Sequence, residues 1–321
     1  MAHIVVTRPL IENGLAALRE QHTVTVCDPP EGAARSEDEL IELARGADVL
    51  LTVLADPVTE RVFAACPDLQ MVAQYAVGID NIDREAAAAH DVVVSHTPGV
   101  LTDATADMAW ALLLGAARHV TRADQYVRDG AFERWETTLL LGTELADKRL
   151  GIVGLGRIGA ATARRALGFG MDVVYHNRHR ANPTVERQTN AEYVPLDELL
   201  ATSDVVSLHC PLNEDSYHLI DAEALARMKD SATLVNTARG AVVDEDALVE
   251  ALDEGAIAAA GLDVFEDEPD VHPGLKRQER VVLAPHLGSA ATETRAEMAN
   301  MCVASITAML NGREEVPHRA V

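Results

Sequence analysis

Lysine is nearly absent from this chain: Lys148, Lys229 and Lys276 are the only three in a basic complement of 27 residues. Against that complement stand 51 aspartates and glutamates, for a net charge of −24. A field of that sign repels nucleic acid and anionic membrane surfaces, so neither is expected as a partner. Few lysines with many acids also suit a protein kept soluble by concentrated salt, an arginine-rich codon bias in an acidic mesophile being the alternative. Cysteine is scarce as well. Cys27, Cys66, Cys210 and Cys302 are scattered with no CxxC pair, which argues against a disulfide framework and a structural zinc. The 12 histidines form no HxxxH or HExxH pattern, so no metal site is expected. The longest nearly apolar run, Met108 to Ala117, is about half of what a membrane span needs. No basic start followed by an apolar core and cleavage site is visible, and a cytoplasmic protein is expected.

What remains is ordinary globular material. With 321 residues, 48% hydrophobic and 24% charged, the chain has room for about two domains with their own cores. Short β-rich runs alternate with helical patterns at His3–Thr7, Thr23–Cys27, Asp48–Leu54, Met71–Tyr75 and Val92–Ser95, as in a parallel sheet covered by helices. An apolar-periodic stretch from Asp103 to Asp129, closed by Gly130, reads as one long helix. A second series of six strands follows: Arg149–Val153, Asp172–His176, Asp204–Leu208, Ala232–Asn236, Ala258–Asp263 and Arg280–Ala284. Six strands with helices between them are the complement of a doubly wound dinucleotide fold. The final helical segment, Thr292–Leu310, has no strand after it and is expected to pack back on the N-terminal domain.

Gly154-Leu155-Gly156-Arg157-Ile158-Gly159 follows an apolar strand and opens a helical pattern, which is the context a GxGxxG needs to bind a dinucleotide. The first glycine serves the tight turn, the second lets a pyrophosphate approach, and the third lets helix pack on strand. The N–H groups at the helix start then face the phosphates. Where an NAD-preferring protein carries an acid at the end of the second strand, this chain reads His176-Asn177-Arg178-His179-Arg180. Arg178 can pair with a ribose 2′-phosphate and Asn177 can donate to it, with His179 in the same basic cluster. NADP(H) is therefore the expected cofactor, with NAD remaining open.

Three later segments put ionisable groups at strand ends: Asn236-Thr237-Ala238-Arg239-Gly240, Gly261-Leu262-Asp263-Val264-Phe265-Glu266-Asp267-Glu268-Pro269, and Pro285-His286-Leu287-Gly288-Ser289. Ligands of open α/β sheets bind beyond the carboxyl ends of strands. With Val77-Gly78-Ile79-Asp80-Asn81-Ile82-Asp83 upstream, these segments resemble the D-isomer-specific 2-hydroxyacid dehydrogenase family in ordered motifs from Val77 to Ser289. Thr97 to Asp107 and the surroundings of Trp135 look most like its glyoxylate/hydroxypyruvate reductase branch.

The resemblance implies an α/β protein of two doubly wound parallel-sheet domains. A discontinuous, flavodoxin-like substrate domain would take residues 1–98 and 288–321, and a Rossmann-like dinucleotide-binding domain residues 99–287. It implies His286 as acid–base catalyst, Glu268 as its partner and Arg239 as substrate anchor. The residue types agree: a histidine titrates near neutrality, a carboxylate orients and charges it, and an arginine grips a 2-oxo acid. It further implies that the amides of Val77 and Gly78 receive the substrate carboxylate, that Ser289 touches the active site, and that Thr105, Thr237 and Asp263 contact the cofactor. Trp135 is either core or, as in related reductases, a substrate-pocket residue supplied to a partner subunit, and a homodimer is expected. A phosphoglycerate dehydrogenase, a 2-ketogluconate or broad 2-oxo acid reductase, and a nucleotide-sensing binding protein of the same fold stay open. If the acidic surface is an adaptation to brine, stability and any catalytic rate should both be higher in molar salt than in dilute buffer. A maximum in dilute buffer overturns that reading.

Overall fold

The computed structural model describes residues 1–11, 15–28, 34–313 and 315–321. They divide into two compact units, Met1–Leu101 with Ser289–Val321, and Thr102–Gly288. The first unit holds β1 (His3–Val6), β2 (Thr23–Val26), β3 (Val49–Thr52), β4 (Met71–Gln74) and β5 (Val93–Ser95), all parallel in the order β2-β1-β3-β4-β5. β3 and β4 are buried at every residue while β2 alternates, the difference between strands covered on both faces and one at a sheet edge. The Thr292–Leu310 helix packs on β4. Two bonds fasten it there, Tyr75 Oη donating to the Arg295 carbonyl at 2.5 Å and Cys302 Sγ donating to the Gln74 carbonyl at 3.7 Å. The last residues run beside β5, Ala320 N donating to Val94 O at 2.7 Å. The chain thus completes its first unit with its last residues.

The second unit holds β6 (Arg149–Val153), β7 (Asp172–His176), β8 (Ala191–Tyr193), β9 (Val205–Leu208), β10 (Thr233–Asn236), β11 (Ala259–Leu262) and β12 (Val281–Leu283), again parallel, in the order β12-β11-β10-β9-β6-β7-β8. The strand order reverses direction at β6 and β9, the topological switch point where such sheets bind ligands. Alternate residues feed two cores: Ile152, Val173, Val205 and Val235 face one, Val153, Val174, Val206 and Leu234 the other. The first of these cores includes Trp110, buried, stacked on Phe169 with ring centroids 4.4 Å apart and donating Nε1–H to Thr162 O at 3.0 Å.

Two expectations are corrected. The second sheet has seven strands among the described residues, the six expected plus β8, a three-residue edge strand paired on β7. The long helix is two helices, Thr102–Ala117 and Val120–Arg128, broken at His119, whose φ of 53° is left-handed. The break is set from downstream: Thr143 N donates to Ala117 O at 2.8 Å, and His119 Nε2 bonds Leu141 O at 3.1 Å. No helix among the described residues is long and apolar enough to cross a membrane.

Candidate active site

The glycine loop leaves β6 at the switch point. Gly154 has φ of 98°, and a Cβ there would lie 2.7 Å from the backbone of Cys210, while one on Gly159 would lie 2.2 Å from Gly154 O. Turn and helix are thus packed as closely as backbone allows. A Cβ on Gly156 would meet nothing within 4 Å, which leaves open space beside the first amides of the Arg157–Ala166 helix. Asn177, just beyond β7, accepts from Leu155 N through Oδ1 at 2.6 Å, so its Nδ2 is the end left to donate. Arg178 pairs with Asp215 at 3.0 Å, both side chains about two-thirds exposed, and Arg180 is tied back to Glu186 at 2.8 Å. His179 is exposed.

Arg239 sits on the turn after β10. Asn236, fully buried, shapes that turn by accepting from Ala238 N at 3.0 Å and donating to Arg239 O at 2.8 Å. Arg239 Nη1 donates to Ala238 O at 2.7 Å. Next to it, Gly240 is pressed on the turn that follows β11, a Cβ there falling 1.8 Å from the Phe265 carbonyl carbon. That second turn carries Glu268. It is held inside by Phe265 N donating to Glu268 Oε1 at 3.0 Å and outside by Glu266 N donating to buried Glu245 at 3.0 Å. Burial raises the Glu245 carboxyl above its ordinary range.

His286 follows β12 with φ of 54°. Its Nδ1 meets Glu268 Oε2 at 2.8 Å, and its Nε2 has no hydrogen-bond partner among the described residues. Asp263, buried at the end of β11, accepts from Leu287 N at 2.6 Å and Gly288 N at 2.7 Å, one amide on each oxygen. Burial raises its carboxyl, opposed by those two amides and by His286. Asp263 therefore grips the loop that presents His286. Thr105, buried in the first turn of its helix, packs beside Gly288. Thr237 Oγ1 is buried without a hydrogen-bond partner among the described residues. Val77, Gly78 and Ser289 belong to the first unit. Trp135 is 77% exposed, which removes core packing as its role in the isolated chain.

Sequence reasoning passed over His209, although it stands at the end of β9 next to the strand of the glycine loop. Its Nε2 bonds Ser207 Oγ at 2.9 Å, its Nδ1 is buried with no partner among the described residues, and desolvation lowers its pKa to about 3. It is a neutral histidine whose backbone abuts Gly154. Asn236, Glu245 and Asp215 were missed too; a polar residue closing an apolar strand was the one available signal, and only for Asn236. No group of three metal-ligating side chains occurs among the described residues.

Residues 110–288 match the family model described as D-isomer specific 2-hydroxyacid dehydrogenase, NAD binding domain. A glyoxylate reductase of Korarchaeum cryptofilum is 48% identical over 321 residues, 99% of this chain and 95% of the relative. Among solved structures, a Thermus thermophilus protein superposes with a TM-score of 0.92 at 43% identity, covering 99% of this chain and 100% of that one. An NADPH-dependent glyoxylate/hydroxypyruvate reductase from Sinorhizobium meliloti, in complex with NADP and malonate, gives 0.84 at 32% identity, covering 100% and 99%.

The two glycine environments predict opposite outcomes. Gly240→Ala, meeting backbone at 1.8 Å, should cost at least the ~1–3 kcal/mol typical of an overpacked core, seen as a lower urea midpoint. Gly156→Ala should unfold at the wild-type midpoint. Equal midpoints for both variants would contradict the packing described.

Proposed function

Because the chain belongs to the D-isomer specific 2-hydroxyacid dehydrogenases and is an NAD(P)-dependent dehydrogenase, we propose that it reduces glyoxylate to glycolate, or hydroxypyruvate to D-glycerate, with NADPH preferred over NADH. The observation that carries the reading is the His286–Glu268 pair at 2.8 Å, with His286 Nε2 left without a partner among the described residues.

The residues at the switch point fit a nicotinamide dinucleotide: open space at Gly156, helix amides behind it, and an orphaned Thr237 Oγ1. Leu155, Arg157 and Ile158 complete the phosphate-binding turn, with Thr105 as a further phosphate contact and Asp263 as a contact to the carboxamide. When bound, the cofactor supplies the hydride. As negative charge grows on the C2 oxygen, His286 Nε2 gives it a proton, help typically worth about 10²- to 10⁴-fold. Glu268, at Nδ1, holds the ring's direction. Arg239 grips the 2-oxo acid, Val77 and Gly78 offer amides to its carboxylate, and Ser289 is a further contact. On this reading Met1–Leu101 with Ser289–Val321 is the substrate domain and Thr102–Gly288 the cofactor domain.

The NADPH preference is supported by Arg178 and the donor end of Asn177. The Arg178–Asp215 pair is exposed, and exposed pairs are worth at most about 1 kcal/mol, so a phosphate dianion competes for the guanidinium. A homodimer is supported by the large apolar side chains that Phe132, Trp135 and Leu141 leave exposed. The enzyme is assigned to the cytoplasm, in keeping with four unpaired cysteines.

Steady-state oxidation of NADPH and NADH with glyoxylate and with hydroxypyruvate tests the whole reading: kcat/KM should be higher with NADPH, and absence of turnover with either acid would refute it. Arg178→Ala should raise KM for NADPH about tenfold, in line with loss of a charge-assisted contact, and leave that for NADH nearly unchanged. Equal effects would remove Arg178 from cofactor choice. Trp135→Ala should change the ratio of kcat/KM between the two acids without altering NADPH binding, and sedimentation should show a dimer; a monomer with an unchanged ratio would end that assignment.

A further inference from the structure

The loop after β4 has a feature that its motif does not announce. Three successive carbonyls, those of Ala76, Val77 and Gly78, are each taken by a donor from within the first unit. Thr97 N donates to Ala76 O at 2.8 Å, His96 Nδ1 to Val77 O at 2.9 Å, and Gln74 Nε2 to Gly78 O at 3.3 Å. These peptides are trans, and in a planar trans peptide the N–H points opposite the C=O. Holding the three carbonyls therefore turns the amides of Val77, Gly78 and Ile79 the other way. None of those amides donates to any described residue, and all three residues are half-exposed. Successive unpaired amides form a concavity that suits an anion.

Two side chains hold this arrangement. Gln74, fully buried, cannot rotate freely: its Oε1 accepts from Thr52 Oγ1 at 2.6 Å and its Nε2 also donates to Asn81 Oδ1 at 2.7 Å. Asn81 is fixed in turn by donating to Asp56 O at 2.8 Å. His96 is half-buried and its backbone is pinned by N–H donation to His318 O at 3.1 Å. A carbonyl only accepts, so the ring carries a proton on Nδ1.

We infer that His96 and Gln74 are positioning residues for a carboxylate nest made of the Val77, Gly78 and Ile79 amides, the Ile79 amide being an addition to the two implied by the motif. This rests on the reading that the site takes a 2-oxo acid. Neither side chain touches the substrate; each acts by turning a peptide plane.

Asparagine carries Nδ2 the same two bonds from Cβ as histidine carries Nδ1, whereas leucine has similar bulk and no donor. His96→Leu should therefore raise KM for glyoxylate about tenfold, with kcat within about twofold and NADPH binding unchanged, the pattern of lost uniform binding. His96→Asn should restore a KM near wild type. An unchanged KM in His96→Leu, or a parallel loss of NADPH affinity, would overturn the inference while leaving the proposed reaction standing. A second readout does not depend on turnover. In protein labelled with 15N at glycine and isoleucine, glyoxylate should shift the Gly78 and Ile79 amide resonances of the wild type, and more weakly those of His96→Leu. Shifts of this kind without any 2-oxo acid turnover would support the nest and sink the reaction. No shift in the wild type would sink the nest, whether or not His96→Leu folds.

Discussion

A parallel strand that stops inside a protein leaves its next peptide groups without a ladder, and buried peptide groups must be paired. The loops of the candidate site are shaped by how this is done. At four strand ends a polar side chain supplies the missing partners: Gln74 after β4, Asn177 after β7, Asn236 after β10 and Asp263 after β11. Three of the four are amides, which can donate and accept at once: Asn236 holds an N–H and a C=O of its turn, Gln74 holds the Gly78 carbonyl, and Asn177 takes the Leu155 N–H. Asp263 is the exception, and it faces two N–H groups, to which a carboxylate answers with both oxygens. The candidate site residues lie close to these pairings and inherit their direction from them. Val77 stands three positions after Gln74, Arg178 one after Asn177, Arg239 three after Asn236, and His286 just before the amides that Asp263 takes.

The His286 loop shows how far this reaches. The clamp on Leu287 and Gly288 acts immediately after His286, while His286 N donates to Asp263 O at 2.8 Å, so one aspartate holds the loop from both sides of the ring. The left-handed backbone of His286, costly for a branched residue and moderate for histidine, is maintained by that grip. Glu268 then meets Nδ1 from a turn that is itself fastened by Phe265 N, Glu245 and the close approach of Gly240. Since Gly240 adjoins Arg239, the turns bearing Arg239 and Glu268 are packed as one piece. The local charge is strongly negative around Glu266, Asp267 and Glu268, and His218 bonds Glu266 at 2.9 Å at its margin.

How much of this was legible follows from what local patterns record. Strands buried on both faces read as unbroken apolar runs, so β3, β4, β9 and β10 were plain, while β8, three residues at an edge with Glu192 exposed, was not. The break at His119 was hidden because its cause, the docking of Leu141 and Thr143, lies more than a turn of sequence away and leaves no mark on the helical period. The family resemblance named His286, Glu268, Arg239 and Asp263 as short strings, yet a string says nothing about direction. Nothing in Gly-Leu-Asp-Val-Phe announces that Asp263 faces two amides 24 and 25 residues on. Nor does a lone histidine before Thr-Pro announce a bond to Val77, which depends on β4 and β5 lying side by side.

The two tryptophans occupy opposite extremes of environment. Trp110 is 5% exposed and stacked on Phe169, while Trp135 is 77% exposed. In the isolated chain their emission is therefore resolvable by colour and by quencher access: a blue component shielded from iodide from the interior of the second unit, and a red, quenchable one from the segment after the Val120–Arg128 helix, which a partner subunit seated there would shift and shield. With no other indole in the chain, the molecule carries its own two-channel optical reporter. Events at that surface segment and loosening of the core can be followed separately in one sample, without any label being introduced.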